Sequence, residues 1–114
     1  MNNRKSGSLA EDRAAEFLLS SGYQIKDRNY HAGRLGEIDI ICETRTHTVF
    51  VEVKSSQVDD FGNPVYKVGI KKQQQIALIA EIYLAHHPSN KDCRFDVIVL
   101  EGQQLIHYVD AFRR

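Results

Sequence analysis

Two short runs, Glu37-Ile38-Asp39-Ile40-Ile41-Cys42-Glu43 and Thr48-Val49-Phe50-Val51-Glu52-Val53-Lys54, stand only four residues apart. Both are rich in β-branched and apolar residues, which favour strands. The intervening Thr44-Arg45-Thr46-His47 is most simply the turn of an antiparallel hairpin. An apolar hairpin needs cover, and the flanking segments offer it. Upstream, Ser8-Leu9-Ala10-Glu11 fits a capping box. Ala10, Ala14, Phe17, Leu18 and Ser21 then share one helical face, and Gly22 supplies a stop, so a helix is predicted over 8–21. Tyr23-Gln24-Ile25 reads as a short strand, and 26–36, with Gly33 and Gly36, as a loop or irregular strand end. Downstream, 55–66 reads as a loop around Gly62 and Pro64. A second helix over 68–86 turns Ile76, Ile79, Ala80, Tyr83 and Leu84 inward and ends at His86-His87-Pro88. Residues 94–100 and 105–109 make a last hairpin across Glu101-Gly102-Gln103. The order αβββαββ predicts an α+β (or α/β) layer, with helices packed on a mixed sheet.

At 114 residues the chain is read as a single domain over 1–114. No apolar run approaches the roughly 20 residues of a membrane helix, and the first residues lead into no hydrophobic stretch, so neither a membrane span nor a signal peptide is expected. The two cysteines, Cys42 and Cys93, lie far apart without a CxxC pairing. That usage predicts small core residues in a cytoplasmic protein, not a disulfide scaffold or a thiolate zinc site. Lys+Arg and Asp+Glu number 15 each, where passive nucleic-acid binders usually carry a basic excess. The charges are nevertheless segregated. Residues 36–60 hold Glu37, Asp39, Glu43, Glu52, Asp59 and Asp60 against Arg45 and Lys54, while 61–80 hold Lys67, Lys71 and Lys72 and no acid.

Side chains alternate along a strand, so Glu52 and Lys54 share one face, while Val49, Val51 and Val53 share the other. On the preceding strand Asp39 is expected on the face opposite Ile38 and Ile40. The hairpin can therefore gather Asp39, Glu52 and Lys54 at one edge of an apolar sheet. Charges among such flanks are partly shielded from water, which is costly unless they are partnered. Asp39 and Glu52 are hard oxygen donors suited to Mg²⁺ or Mn²⁺. A metal there would polarise a phosphoryl oxygen and acidify water. Lys54 could orient that water and stabilise the charge that develops in the transition state.

The pattern Asp39…Glu52-Val53-Lys54 resembles the PD-(D/E)xK nuclease superfamily, with Ile38-Asp39 in place of the Pro-Asp dipeptide. A closer resemblance spans nearly the whole chain. Ala10-Glu11-Asp12-x-Ala14, Gly22-Tyr23-x-Ile25, Arg28-Asn29-Tyr30, Gly36-Glu37-Ile38-Asp39-Ile40-Ile41, Val49-Phe50-Val51-Glu52-Val53-Lys54, Phe61-Gly62, Lys72-Gln73 and Arg94-Phe95-Asp96-Val97 look like the small bacterial YraN-type, endonuclease-like proteins akin to Holliday-junction resolvases. The resemblance implies a restriction-endonuclease-like core and Mg²⁺-dependent hydrolysis of DNA phosphodiester bonds, with branched or structured DNA as a candidate substrate. It implies metal ligation by Asp39, Glu52 and the Val53 carbonyl, Lys54 as catalytic lysine and Glu11 from the first helix as a further acid. Ala10 replaces the family's usual glycine, and Ser56 stands where arginine is common.

Plainer readings compete. A salt-bridged strand face would account for Asp39, Glu52 and Lys54, and the capping box alone would account for Glu11. Glu37 is either an outer acid or a partner of Arg34. Lys71, Lys72 and Gln73, at the start of the second helix, are candidate phosphate contacts, because free amides there favour anions, against the plainer reading of a solvated helix turn. Tyr66, Tyr83 and Tyr108 read as packing residues, and His86 with His87 as no joint metal site. Arg94 and Asp96 share a strand face and are expected to pair with each other or with sheet neighbours. The alternative to an enzyme is a non-catalytic nucleic-acid-binding or assembly module. The equal charges and Ser56 weigh toward it; the intact acids and lysine weigh toward the nuclease, whose resolvase-like action on two strands suggests a homodimer.

Overall fold

The computed structural model describes residues 6–56 and 68–113. Along the chain run α1 (Ser6–Ser20), β1 (Gln24–His31), a 3-10 turn (Gly33–Leu35), β2 (Glu37–Glu43), β3 (His47–Ser56), α2 (Ile70–His86), β4 (Asp92–Glu101) and β5 (Gln104–Phe112). The strands form one mixed sheet in the order β1-β2-β3-β4-β5. Neighbours are antiparallel except β3 and β4, which run parallel. That parallel step requires a long crossover, and the chain from β3 to β4 passes through α2 to make it.

The helices cover opposite faces. Ala14 and Leu18 of α1 pack with Ile40, Cys42, Val49, Val51 and Ile98. On the other side Ile76, Ile79 and Tyr83 of α2 pack with Ile41, Phe50, Phe95 and Val97. The period-2 pattern of β3 thus sends Val49 and Val51 one way and Phe50 the other. Each fully buried Val, Ile or Phe contributes about 1.5–3 kcal/mol of transfer free energy.

Several expectations are corrected. β1 runs over Gln24–His31, so of the two readings of 26–36, a loop or an irregular strand end, the strand holds through His31 and the short strand over 23–25 is corrected to eight residues. It is an edge strand paired only with β2, so polar side chains remain half-exposed along it. A register shift between Ile25 and Asp27 and the left-handed Asn29 (φ 53°) also break its alternation. α1 begins at Ser6 instead of 8, and the side chain of Ser8, the expected capping residue, lies outside the described residues. Ser21 is exposed beyond the helix end, and Ala15 is among the buried residues of that face. Gly22 does close α1: at φ 94° its N–H reaches the Leu19 carbonyl, and Tyr23 N–H reaches that of Leu18 at 2.9 Å. β3 continues through Ser56, and α2 starts at Ile70 instead of 68. The remainder of the expected loop, with Phe61-Gly62, Tyr66 and Lys67, lies outside the described residues. The last hairpin is longer than expected at both ends. Cys42 is buried, but Cys93 is exposed near the start of β4. Among the described residues no helix is long and apolar enough to cross a membrane.

Candidate metal centre

β2 and β3 pair from Glu43↔Thr48 to Ile40↔Val51. One step further Asp39 would face Glu52, and no backbone pairing continues there. Instead the Val53 N–H donates to Asp39 Oδ2 at 2.8 Å. In an extended strand the N–H and C=O of one residue point toward the same neighbour, so the Val53 carbonyl opens toward the same gap. β2 also changes face at this level. Ile38 joins the core under α2, whereas Ile40 joins the one under α1. The expectation that Asp39 opposes both isoleucines across a regular strand is therefore corrected. The β1–β2 register steps from Arg28↔Ile40 to Tyr30↔Ile38, with the left-handed Asn29 between them.

The end of the sheet draws acids from three elements. One carboxylate oxygen each of Glu11 (α1), Glu37 and Asp39 (β2) lies within 4.8 Å of the others, as a metal-binding set requires. Glu52, only 9% exposed, adjoins Asp39 from β3. Burial and then the neighbouring Glu52 push the Asp39 carboxyl up to about 8, against the Val53 N–H; Glu11 and Glu37 add to the rise. Glu52 is also raised, chiefly by burial, which outweighs Lys72, Lys54 and a hydrogen bond shared with Asp39. Lys54 and Lys72 are the cations facing Glu52, with Lys72 Nζ 3.8 Å from Glu52 Oε2.

The structure thus brings Asp39, Glu52, Lys54, Val53, Glu11 and Lys72 together. Lys71 is exposed on the first turn of α2. Gln73 turns back, its Nε2 donating to the Val68 carbonyl at 2.8 Å and bracing the helix start. Glu11 accepts from Asn29 Nδ2 at 3.0 Å on both oxygens and lies 3.7 Å from Arg28 Nη2. Glu37 pairs with His31 Nε2 at 2.9 Å, in the role expected of Arg34, and accepts from Asn29 Nδ2 at 3.3 Å. Sequence reading offered Glu37 as an outer acid and missed Asn29, because nothing in the polar run 26–36 marks a left-handed residue. A further clasp ties the acids to α2: Gln75 Nε2 donates to the Leu35 carbonyl, directly over Gly36 (φ 121°). A Cβ at Gly36 would collide with that amide.

Asp96 is a charged group of different character. It is fully buried beside Val51 in the β3–β4 register. Arg94 Nε and Nη2 donate to it at 2.9 Å, His107 Nε2 lies 2.7 Å from Oδ2, and Asp110 N–H donates at 3.0 Å. Arg94 Nη2 also reaches Tyr23 Oη at 2.7 Å. Arg94 therefore pairs with Asp96 and with a residue at the β1 end. Tyr83 packs edge-on against Tyr30 and Phe50, and Tyr108 packs against the same core. His86 and His87 each turn Nδ1 to a carbonyl one turn back, at Ile82 and Tyr83. A concavity of about 490 Å³ between α2 and the β4–β5 edge contains none of the four clustered acids.

The profile described as "Uncharacterised protein family UPF0102" matches residues 10–100. A UPF0102 protein of Natranaerobius thermophilus is 42% identical, with 98% of this chain and all of that protein covered. One from Dictyoglomus turgidum is 44% identical over 86% of this chain and 83% of its own length. One from Clostridioides difficile is 38% identical, covering 98% of this chain and the whole of the relative. Similarity of this extent, running through the strands that carry the acids, means that the chain belongs to the UPF0102 family.

Proposed function

We propose that this protein is a Mg²⁺- or Mn²⁺-dependent endonuclease that hydrolyses DNA phosphodiester bonds. The carrying observation is the Asp39 carboxyl in the gap where β2 and β3 part, pushed up to about 8 among three other acids. Four hard oxygen donors and an open backbone carbonyl suit a small divalent cation. A cation would also offset the desolvation and repulsion that push the Asp39 carboxyl up. Asp39 and Glu52 with the Val53 carbonyl are the proposed ligands, and Glu11 the additional acid. The αβββαβ strand and helix order agrees with the restriction-endonuclease-like core of the PD-(D/E)xK superfamily that the motif resembles.

A bound divalent ion supplies Lewis-acid polarisation of a phosphoryl oxygen. Lys54, beside Glu52, orients the attacking water and stabilises the negative charge that grows on the phosphoryl group. Lys71 and Lys72 on the first turn of α2, whose N-cap Gly69 offers no side-chain cap, hold a substrate phosphate near the acids, over a helix start braced by Gln73. Branched or structured DNA is the proposed substrate, and a homodimer the assembly that would present two sites to two strands.

The test is a cleavage assay with Mg²⁺ or Mn²⁺ over branched and linear DNA. Lys54→Ala should reduce cleavage at least 100-fold while Tm and Mn²⁺ uptake stay near wild type. If wild type cleaves nothing in the panel, the enzymatic reading fails. The second reading, a non-catalytic nucleic-acid-binding or assembly module, draws support from the equal numbers of acids and cations and from Lys72 facing Glu52. DNA binding that persists without metal and without cleavage would favour it.

A further inference from the structure

We infer that Asn29 is the positioning residue of the acid cluster, its side-chain amide bridging Glu11 of α1 to Glu37 of β2. The purpose of the bridge rests on the metal-site reading, whereas the bridge itself rests on geometry. Asn29 Nδ2 lies 3.0 Å from both Glu11 oxygens and 3.3 Å from Glu37 Oε2. The amide nitrogen is a donor with two hydrogens, and ionised carboxylates only accept, so the NH₂ end must face the acids. A neutral amide ties the two carboxyl groups together without adding a charge to the cluster. The bridge holds Glu11 and Glu37 beside Asp39, with which they share the 4.8 Å cluster. The nearby Arg28 has its Nη2 on Asp12 at 2.7 Å, against 3.7 Å for Glu11. The close donor to Glu11 is therefore the asparagine.

The backbone explains why asparagine stands there. At φ 53° the residue is left-handed, a conformation that glycine and asparagine tolerate best. It stands in β1 at the level of Asp39, between the pairs Arg28↔Ile40 and Tyr30↔Ile38. From that position the side chain meets α1 and β2 together. Backbone and amide roles are separable by substitution. Asn29→Gly keeps the left-handed turn and deletes the amide. Asn29→Asp keeps the shape and replaces the donor with another acid.

The experiment uses the full chain. Without metal, thermal unfolding is compared for wild type, Asn29→Gly, Glu11→Ala and the double variant. Asn29→Gly should lower Tm by about 5 °C, and by less than half of that when Glu11 is already alanine. Asn29→Asp should fall further, through repulsion. In calorimetric titration with Mn²⁺, Asn29→Gly should bind about tenfold more weakly, as expected when a residue orienting a ligand is lost. If Asn29 served its turn alone, glycine would leave Tm level or raise it and leave Mn²⁺ affinity intact; that result overturns the inference. If wild type takes up no Mn²⁺, the metal-site reading fails on its own. The unfolding cycle then decides the bridge: coupled shifts uphold it and additive shifts overturn it.

Discussion

At Asp39, burial and three neighbouring acids favour the protonated carboxyl, and among its principal influences only the Val53 N–H opposes them. A folded-state pKa of about 8 exceeds the unfolded value of about 3.9. The resulting stabilisation is full below about pH 4 and is lost as pH rises toward 8. Metal-free protein should therefore lose Tm across that window. Asp39→Asn, which keeps an oxygen for Val53, should be flatter and roughly 5 °C more stable at pH 8. Equal pH profiles for the two proteins would refute the protonated Asp39. Asp96 shows the opposite sign. Burial would raise its carboxyl, but His107, Arg94 and the Asp110 N–H together lower it. Its stabilisation is present above about pH 4 and is lost on acidification through the lowered folded value. Asp96→Ala leaves the Arg94 charge unpartnered and should cost about 3–5 kcal/mol, a loss of more than about 10 °C in Tm. A change under about 1 kcal/mol in urea unfolding would show that this cluster does not anchor the sheet.

Among the elements, the parting of β2 and β3 does most for the site. Their ladder stops at Ile40↔Val51, and the side chain of Asp39 takes over a hydrogen bond that a β2 carbonyl would otherwise accept. The start of α2 approaches the same place, held by Gln75 on the Leu35 carbonyl and by Lys72 on Glu52. On the proposed reading, Lys71 and Lys72 would supply the phosphate contacts that a chain with no net charge otherwise lacks. In fluorescence anisotropy over a salt series, each of Lys71→Ala and Lys72→Ala should reduce the slope of log affinity by about 0.7–0.9. Base preference should hold, because phosphate contacts carry no sequence information. Unchanged affinity and slope in both variants would make this helix end an ordinary solvated surface.

Across the whole molecule, α1 and α2 cover opposite faces of the sheet yet each sends charge to one sheet end, Glu11 from α1 and Lys72 from α2. A cation held there would join α1 to β2 and β3. Binding to the folded state alone raises stability through mass action, by about 2.7 kcal/mol at a ligand concentration 100 times Kd. Saturating Mn²⁺ should therefore raise wild-type Tm by about 10 °C or more and leave Asp39→Asn nearly unmoved. A wild-type Tm indifferent to Mn²⁺ would count against the metal centre.

The element order and the proximity of Asp39, Glu52 and Lys54 were legible in the chain because both are local. Apolar period assigns helices, strands and their faces, and a short turn forces the 37–43 and 48–54 runs side by side. The length of β1 was not legible, since an edge strand buries too little to impose alternation on Lys26–His31. Cys93 likewise reads as a core residue until its place at the exposed start of β4 is known. Glu37 and Asn29 enter the site because β2 changes face at the level of the left-handed Asn29 of β1, and periodicity does not record where a ladder ends. The Tyr23–Arg94 and Lys72–Glu52 contacts join residues far apart in sequence. They arise from how α1 and the β3–α2–β4 crossover pack on the sheet. Residue pattern carries the face each side chain occupies; packing across those distances sets which charged groups meet.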